Sequence, residues 1–88
     1  MIVIAFEIER NSIAAFFHCK NFYAANWNDA VIDQSRAKTF ENKEDAEKWY
    51  IENYSKMKPY SIVNHWYEDG VNVDKPYFIE IEKEEDHE

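Results

Sequence analysis

The stretch Asn42-Lys43-Glu44-Asp45-Ala46-Glu47-Lys48-Trp49-Tyr50-Ile51-Glu52-Asn53-Tyr54-Ser55-Lys56-Met57 decides the fold, because here the apolar residues change from strand spacing to helical spacing. Asn42 is an N-cap residue, and Glu44 and Asp45 follow in the first turn, where free amides and the helix dipole favour negative charge. Ala46, Trp49, Tyr50, Tyr54 and Met57 then fall on one side. Glu44 with Lys48 and Glu52 with Lys56 stand four apart in the favourable order. The spacing predicts a helix from about Lys43 to Met57, stopped by Pro59.

Upstream, residues 2–8 alternate, with Ile2, Ile4, Phe6 and Ile8 on one face and Val3, Ala5 and Glu7 on the other, as in a half-buried strand. A turn is expected over residues 9–12. Residues 13–19 are apolar on both faces, which fits a central strand. Phe22 to Trp27 continues the pattern, giving a three-stranded meander. Residues 28–36 predict a loop or one helical turn, and Ala37 to Phe40 a short edge strand.

Downstream, Tyr60 to Tyr67 has strand composition, and Glu68-Asp69-Gly70 is a turn that would return the chain as a hairpin. In the return strand Val71, Val73, Tyr77, Ile79 and Ile81 share one parity with Lys75, and Asn72, Asp74, Pro76, Glu80 and Glu82 the other with Phe78, giving one buried and one wet face. Pro76 has no amide to donate, so this strand is expected at an edge or broken there. The expectation is one α+β domain over residues 1–83, a mostly antiparallel sheet of four to five strands packed against one main helix, with an acidic tail at 84–88.

Composition agrees with this class. The 88 residues include no Leu but nine Ile, and 17% are aromatic, which favours strands and excludes a chain disordered along most of its length. One cysteine excludes an intrachain disulfide, and with nothing else suggesting an oxidising compartment a cytoplasmic protein is the default expectation. Met1 to Phe6, the longest apolar run, is too short for a membrane span.

The formal net charge is −8, which excludes a general basic footprint for nucleic acid. The charge is unevenly placed. Residues 1–40 hold four acids and four bases, while residues 41–88 hold fourteen acids against six bases. Carboxylates two apart on a strand lie about 6.7 Å from each other, a spacing that resembles the charge of a polyanion. The candidate partner contacts are therefore Glu44, Glu47, Glu52, Glu68, Asp69, Asp74, Glu80, Glu82, Glu84 and Glu85, with Trp66 as an aromatic anchor beside the turn acids. The plainer reading is that this charge only maintains solubility.

Little else suggests chemistry. His18 and Cys19 are adjacent and would face opposite sides of a strand, so with His65 they form no nucleophile or metal site. His87 sits in the tail. There is no glycine-rich phosphate loop, zinc spacing or catalytic triad pattern, so no cofactor, no metal and no enzymatic activity are expected.

The segment Ala37-Lys38-Thr39-Phe40-Glu41-Asn42-Lys43-Glu44-Asp45-Ala46-Glu47-Lys48-Trp49, a strand, polar cap and helix start, resembles a pattern found in small accessory proteins of tailed bacteriophages. That group includes inhibitors of the anti-CRISPR and anti-restriction type. The resemblance implies a protein that binds and blocks a bacterial defence or host protein, with no shared catalytic residues to carry over. The neutral first half departs from proteins that mimic DNA over most of their surface. Two functions follow as expectations. One is an inhibitor whose acidic helix and carboxy-terminal hairpin occupy a partner's basic nucleic-acid groove, with no direct contact to nucleic acid or membrane. The other is a structural or assembly protein that self-associates, as a homodimer for example, through its aromatic N-terminal strands.

Overall fold

The computed structural model describes residues 1–8, 21–66, 68 and 70–82. Among these residues five strands form one antiparallel sheet: β1 (Ile2–Ile8), β2 (Asn21–Asn26), β3 (Asp29–Val31), β4 (Thr39–Phe40) and β5 (Val71–Glu80). Among the described residues one helix, α1, runs over Lys43–Val63, and one 3-10 turn covers Gln34–Arg36. The α+β expectation is met.

β1 organises the sheet. Its residues 5–7 pair with residues 21–23 of β2, its residues 2–3 with Phe40 and Thr39 of β4, and its whole length with β5. Because β5 overlaps both other registers, β2 and β4 lie in line along the opposite edge of β1. β3 then pairs on the far side of β2. The expected meander is corrected to this extent: β1 and β2 pair directly. The strand expected at 13–19, with its turn at 9–12, lies outside the described residues.

Ile2, Ile4 and Phe6 project toward the helix and are joined there by Ala24, Ala46, Met57, Val71 and Val73 to form the core. Burial of each larger chain is worth about 1.5–3 kcal/mol. Val3 and Ala5, on the other face of β1, are equally inaccessible to water, so this strand is buried on both sides rather than one.

β5 pairs with β1, not with the segment before it. Its register runs regularly from Ile2↔Glu80 to Phe6↔Pro76, then jumps to Ile8↔Val71. Two steps along β1 oppose five along β5, so three extra residues are accommodated next to Pro76. An odd insertion exchanges the faces of a strand. Val71 and Val73 therefore share the core with Phe78, whereas Tyr77 is exposed. The single apolar parity expected for this strand is corrected accordingly, while its irregularity at Pro76 is as expected; among the described residues β5 pairs with β1 alone.

α1 begins as the sequence predicts, with Asn42 Oδ1 accepting from the Asp45 amide at 2.8 Å. Its inner side carries Ala46, Met57, Trp49, Tyr50 and Tyr54 as anticipated. Its surface pairing differs. The ion pair formed along the helix is Lys43 to Glu47 at 3.9 Å, and Lys56 stands over the Trp27 ring at 5.7 Å instead of meeting Glu52.

The larger correction concerns Pro59, which lies inside the helix rather than ending it. Proline removes one hydrogen bond and crowds the carbonyl four residues back, at a cost of about 3 kcal/mol. Tertiary contacts offset it. The Tyr60 ring is held edge-on between Trp27, at 5.4 Å, and Trp66, at 5.6 Å. Ser61 is fully buried with its hydroxyl donating to the Lys58 carbonyl at 2.8 Å. The strand expected from Tyr60 is thus the last turn of α1 and the loop beyond it.

The helix ends in a reciprocal cap. The Trp66 amide donates to Ser61 O at 2.8 Å and the His65 amide to Ile62 O at 3.2 Å, the paired bonds of a Schellman motif. The motif needs a left-handed residue, normally glycine, and here His65 supplies it at φ 62°. Gly70, at φ 98°, then turns the chain into β5.

Candidate partner-binding surface

The sheet topology gathers acids at one end of the molecule. Ile2 pairs with both Phe40 and Glu80, so the start of β1, the end of β4 and the end of β5 lie side by side. Glu41 follows β4 directly and leads into the first turn of α1 with Glu44 and Asp45, while Glu82 follows β5. These four carboxylates are exposed, and Glu80 is exposed as well. Positive charge here comes from Lys43, from Lys38, whose ammonium stands over the Phe40 ring at 5.5 Å and the Trp49 ring at 5.9 Å, and from the amino terminus, whose ammonium reaches Glu80 Oε2 at 2.9 Å. Glu47 is half-buried and paired with Lys43.

Glu52 lies two turns further along α1 and is exposed, away from this end. The helix as a whole is not an acidic face. Residues 43–63 hold four acids and four lysines, because the helix extends through Lys56 and Lys58. The net −8 therefore rests on Glu41 and on residues 64–88, which hold nine acids and two lysines.

The other predicted contacts separate. Trp66 is half-buried and packs against Tyr60 beside the core. Glu68 is exposed at 3.6 Å from the His65 ring. Asp69, Glu84 and Glu85 lie outside the described residues, as do His18, Cys19 and His87.

Asp74 is exposed but engaged within the chain. It accepts from the Tyr54 hydroxyl in a short hydrogen bond and meets Lys58 Nζ at 2.6 Å. Tyr50, one turn earlier, donates its hydroxyl to the Val73 carbonyl at 2.6 Å. Tyr50, Tyr54 and Lys58 thus fasten one side of α1 to the irregular part of β5. Their four-residue spacing is visible in the sequence, but nothing there shows that Asp74 would stand opposite. The carboxylate holds the Tyr54 phenol above its ordinary value, first by accepting its proton in a hydrogen bond, then through partial loss of water and the negative charge nearby. Beside this network Tyr50, Ile51, Tyr54 and Asp74 line an open groove of about 310 Å³.

Asp33 lies elsewhere, capping the 3-10 turn. Its carboxylate accepts from the Ser35 hydroxyl at 2.8 Å and the Ser35 amide at 3.0 Å, which lowers its pKa, with Arg36 adding a smaller effect. Among the described residues no three His, Cys, Asp or Glu side chains are grouped so as to hold a metal ion. No helix among them is long and apolar enough to cross a membrane. Comparison of the chain with protein-family models, curated proteins and solved structures finds no match, so the reading of this surface rests on its own geometry.

Proposed function

We propose that the chain is a non-enzymatic binding protein of the phage-inhibitor type, which blocks a bacterial host or defence protein by presenting its acidic end to a basic, nucleic-acid-binding groove. The observation that carries this reading is the convergence of Glu41, Glu44, Asp45, Glu80 and Glu82, drawn from two distant segments, at one end of the sheet. Clustered exposed carboxylates steer a basic partner over a Debye length of about 8–10 Å and make capture fast and salt-sensitive. The reading moves the contact surface from the helix to this end, because α1 is electrically balanced. The phage-inhibitor class comes from the resemblance of residues 37–49 alone.

The test is a pull-down from bacterial lysate with the tagged chain and with a variant carrying Glu41→Gln, Glu44→Gln, Glu80→Gln and Glu82→Gln. A nucleic-acid-binding protein held at low salt, released at high salt, displaced by duplex DNA and lost by the variant is the expected result. Capture that survives high salt and the four substitutions, or no capture of such a protein, overturns the proposal.

A further inference from the structure

At the acidic end the chain already seats a cation of its own. Lys38 and Phe40 stand two apart in extended chain and point to the same side. The Lys38 ammonium lies 5.5 Å from the centre of the Phe40 ring and 5.9 Å from that of Trp49. The two rings are in tilted contact, their centroids 5.7 Å apart, and both are half-buried. Together they form one electron-rich recess that a cation enters from solvent. Lys56, by contrast, stands over the single ring of Trp27.

Carboxylates flank the recess. Glu41 follows Phe40 directly, and Asp45 stands one turn before Trp49 on α1, about 5–6 Å away between Cβ atoms. Glu80 lies across Ile2 from Phe40, two strand spacings or about 10 Å away. All three are exposed. Among the described residues neither Glu41, Asp45 nor Lys38 forms an ion pair, so the local cation rests on the rings and leaves these two carboxylates unneutralised.

The geometry points to this recess as the seat of an arginine side chain of a basic partner, with Lys38 holding the place in the free protein. The inference rests on the acidic-end reading and adds which cation that end selects. A guanidinium is planar and more weakly hydrated than an ammonium, so it gives up less water to lie on an aromatic ring. Its fork of donors can also meet a carboxylate beside the ring at the same time. Exchange leaves the sheet undisturbed. The Lys38 amide donates to the Ala24 carbonyl at 2.9 Å, while the side chain is exposed on a flexible stem and returns to water with its charge intact.

Isothermal titration calorimetry at low salt with hexa-arginine and hexa-lysine, peptides of equal charge, tests this. The wild type should bind hexa-arginine about two- to fivefold tighter, the size of one exposed cation–π contact, and hexa-arginine should move the Trp49 indole N–H resonance. Phe40→Leu, with unchanged circular dichroism, should bind the two peptides alike. Lys38→Ala and Lys56→Ala each remove one exposed positive charge without touching a buried side chain. Lys38→Ala, which also empties the recess, should widen the arginine preference, whereas Lys56→Ala should leave it at the wild-type value. Equal binding of both peptides, a preference that survives Phe40→Leu, or one that Lys38→Ala does not widen overturns the inference and leaves the acidic-end reading standing. Binding of neither peptide overturns both.

Discussion

Replacing His65 with glycine should make the protein more stable. His65 holds φ 62° because the cap that closes α1 requires a left-handed residue after Asn64. That conformation costs an L-residue roughly 1–2 kcal/mol, and glycine adopts it without the clash. The unfolded chain gains freedom from glycine, which returns about 0.5–1 kcal/mol of the difference. Glycine also removes the approach of the His65 ring to Glu68, 3.6 Å between side chains 68% and 78% exposed, worth at most about a few tenths of a kcal/mol. The net expectation is a gain of about 0.5–1 kcal/mol, which for a domain of this size is a rise of roughly 2–8 °C in Tm. Urea titration followed by circular dichroism measures it, with two controls. His65→Val, β-branched at a left-handed position, should lose about 1 kcal/mol or more. Asn64→Gly, one residue earlier at φ −95°, should lose stability. A glycine variant at or below wild type, or an equal gain from Asn64→Gly, would refute the argument.

Two further substitutions probe the helix and its fastening to β5. Pro59→Ala restores an amide that can donate to the Ser55 carbonyl, and after allowance for the freer unfolded chain it should add about 1–2 kcal/mol in the same urea assay; a loss would mean that the chain does not continue as helix past residue 59. Tyr54 has a folded-state pKa above its ordinary value of 10.0, so the stability it contributes is whole below about pH 10 and is lost as pH rises through the raised value. Tyr54→Phe should remove that alkaline decline, and urea midpoints falling in parallel for both proteins would count against the Tyr54–Asp74 bond.

The elements legible in the sequence are those set by local pattern. The alternation of residues 2–8, the cap at Asn42 and the inner side of α1 all appear where spacing and capping chemistry place them. Pro76 signals the break in β5. What the pattern conceals is long-range. Pro59 looks like a stop because its local cost is large, and only Trp27 and Trp66, closing on Tyr60 from separate segments, show why the helix continues. The odd insertion in β5 exchanges its faces, which no reading of one strand in isolation reveals. For the candidate surface, the excess of acids in the second half is legible, but its location is not. The balance of α1 depends on where the helix ends, and the acidic end depends on β1 pairing with two segments remote from it.

The central place of β1 also determines when this protein can fold. Its partners in β5 lie 63 to 78 residues further along the chain, from Ile8↔Val71 to Ile2↔Glu80. Closing loops of that length precedes any gain from the pairing, so the nucleus cannot be completed by neighbouring segments alone. On the ribosome β1 must remain without its longest partner until Val71–Glu80 has been made, a period in which its two buried faces are open to other chains. Such long-range pairing slows folding relative to a helical bundle of the same size, a difference that a stopped-flow trace resolves directly.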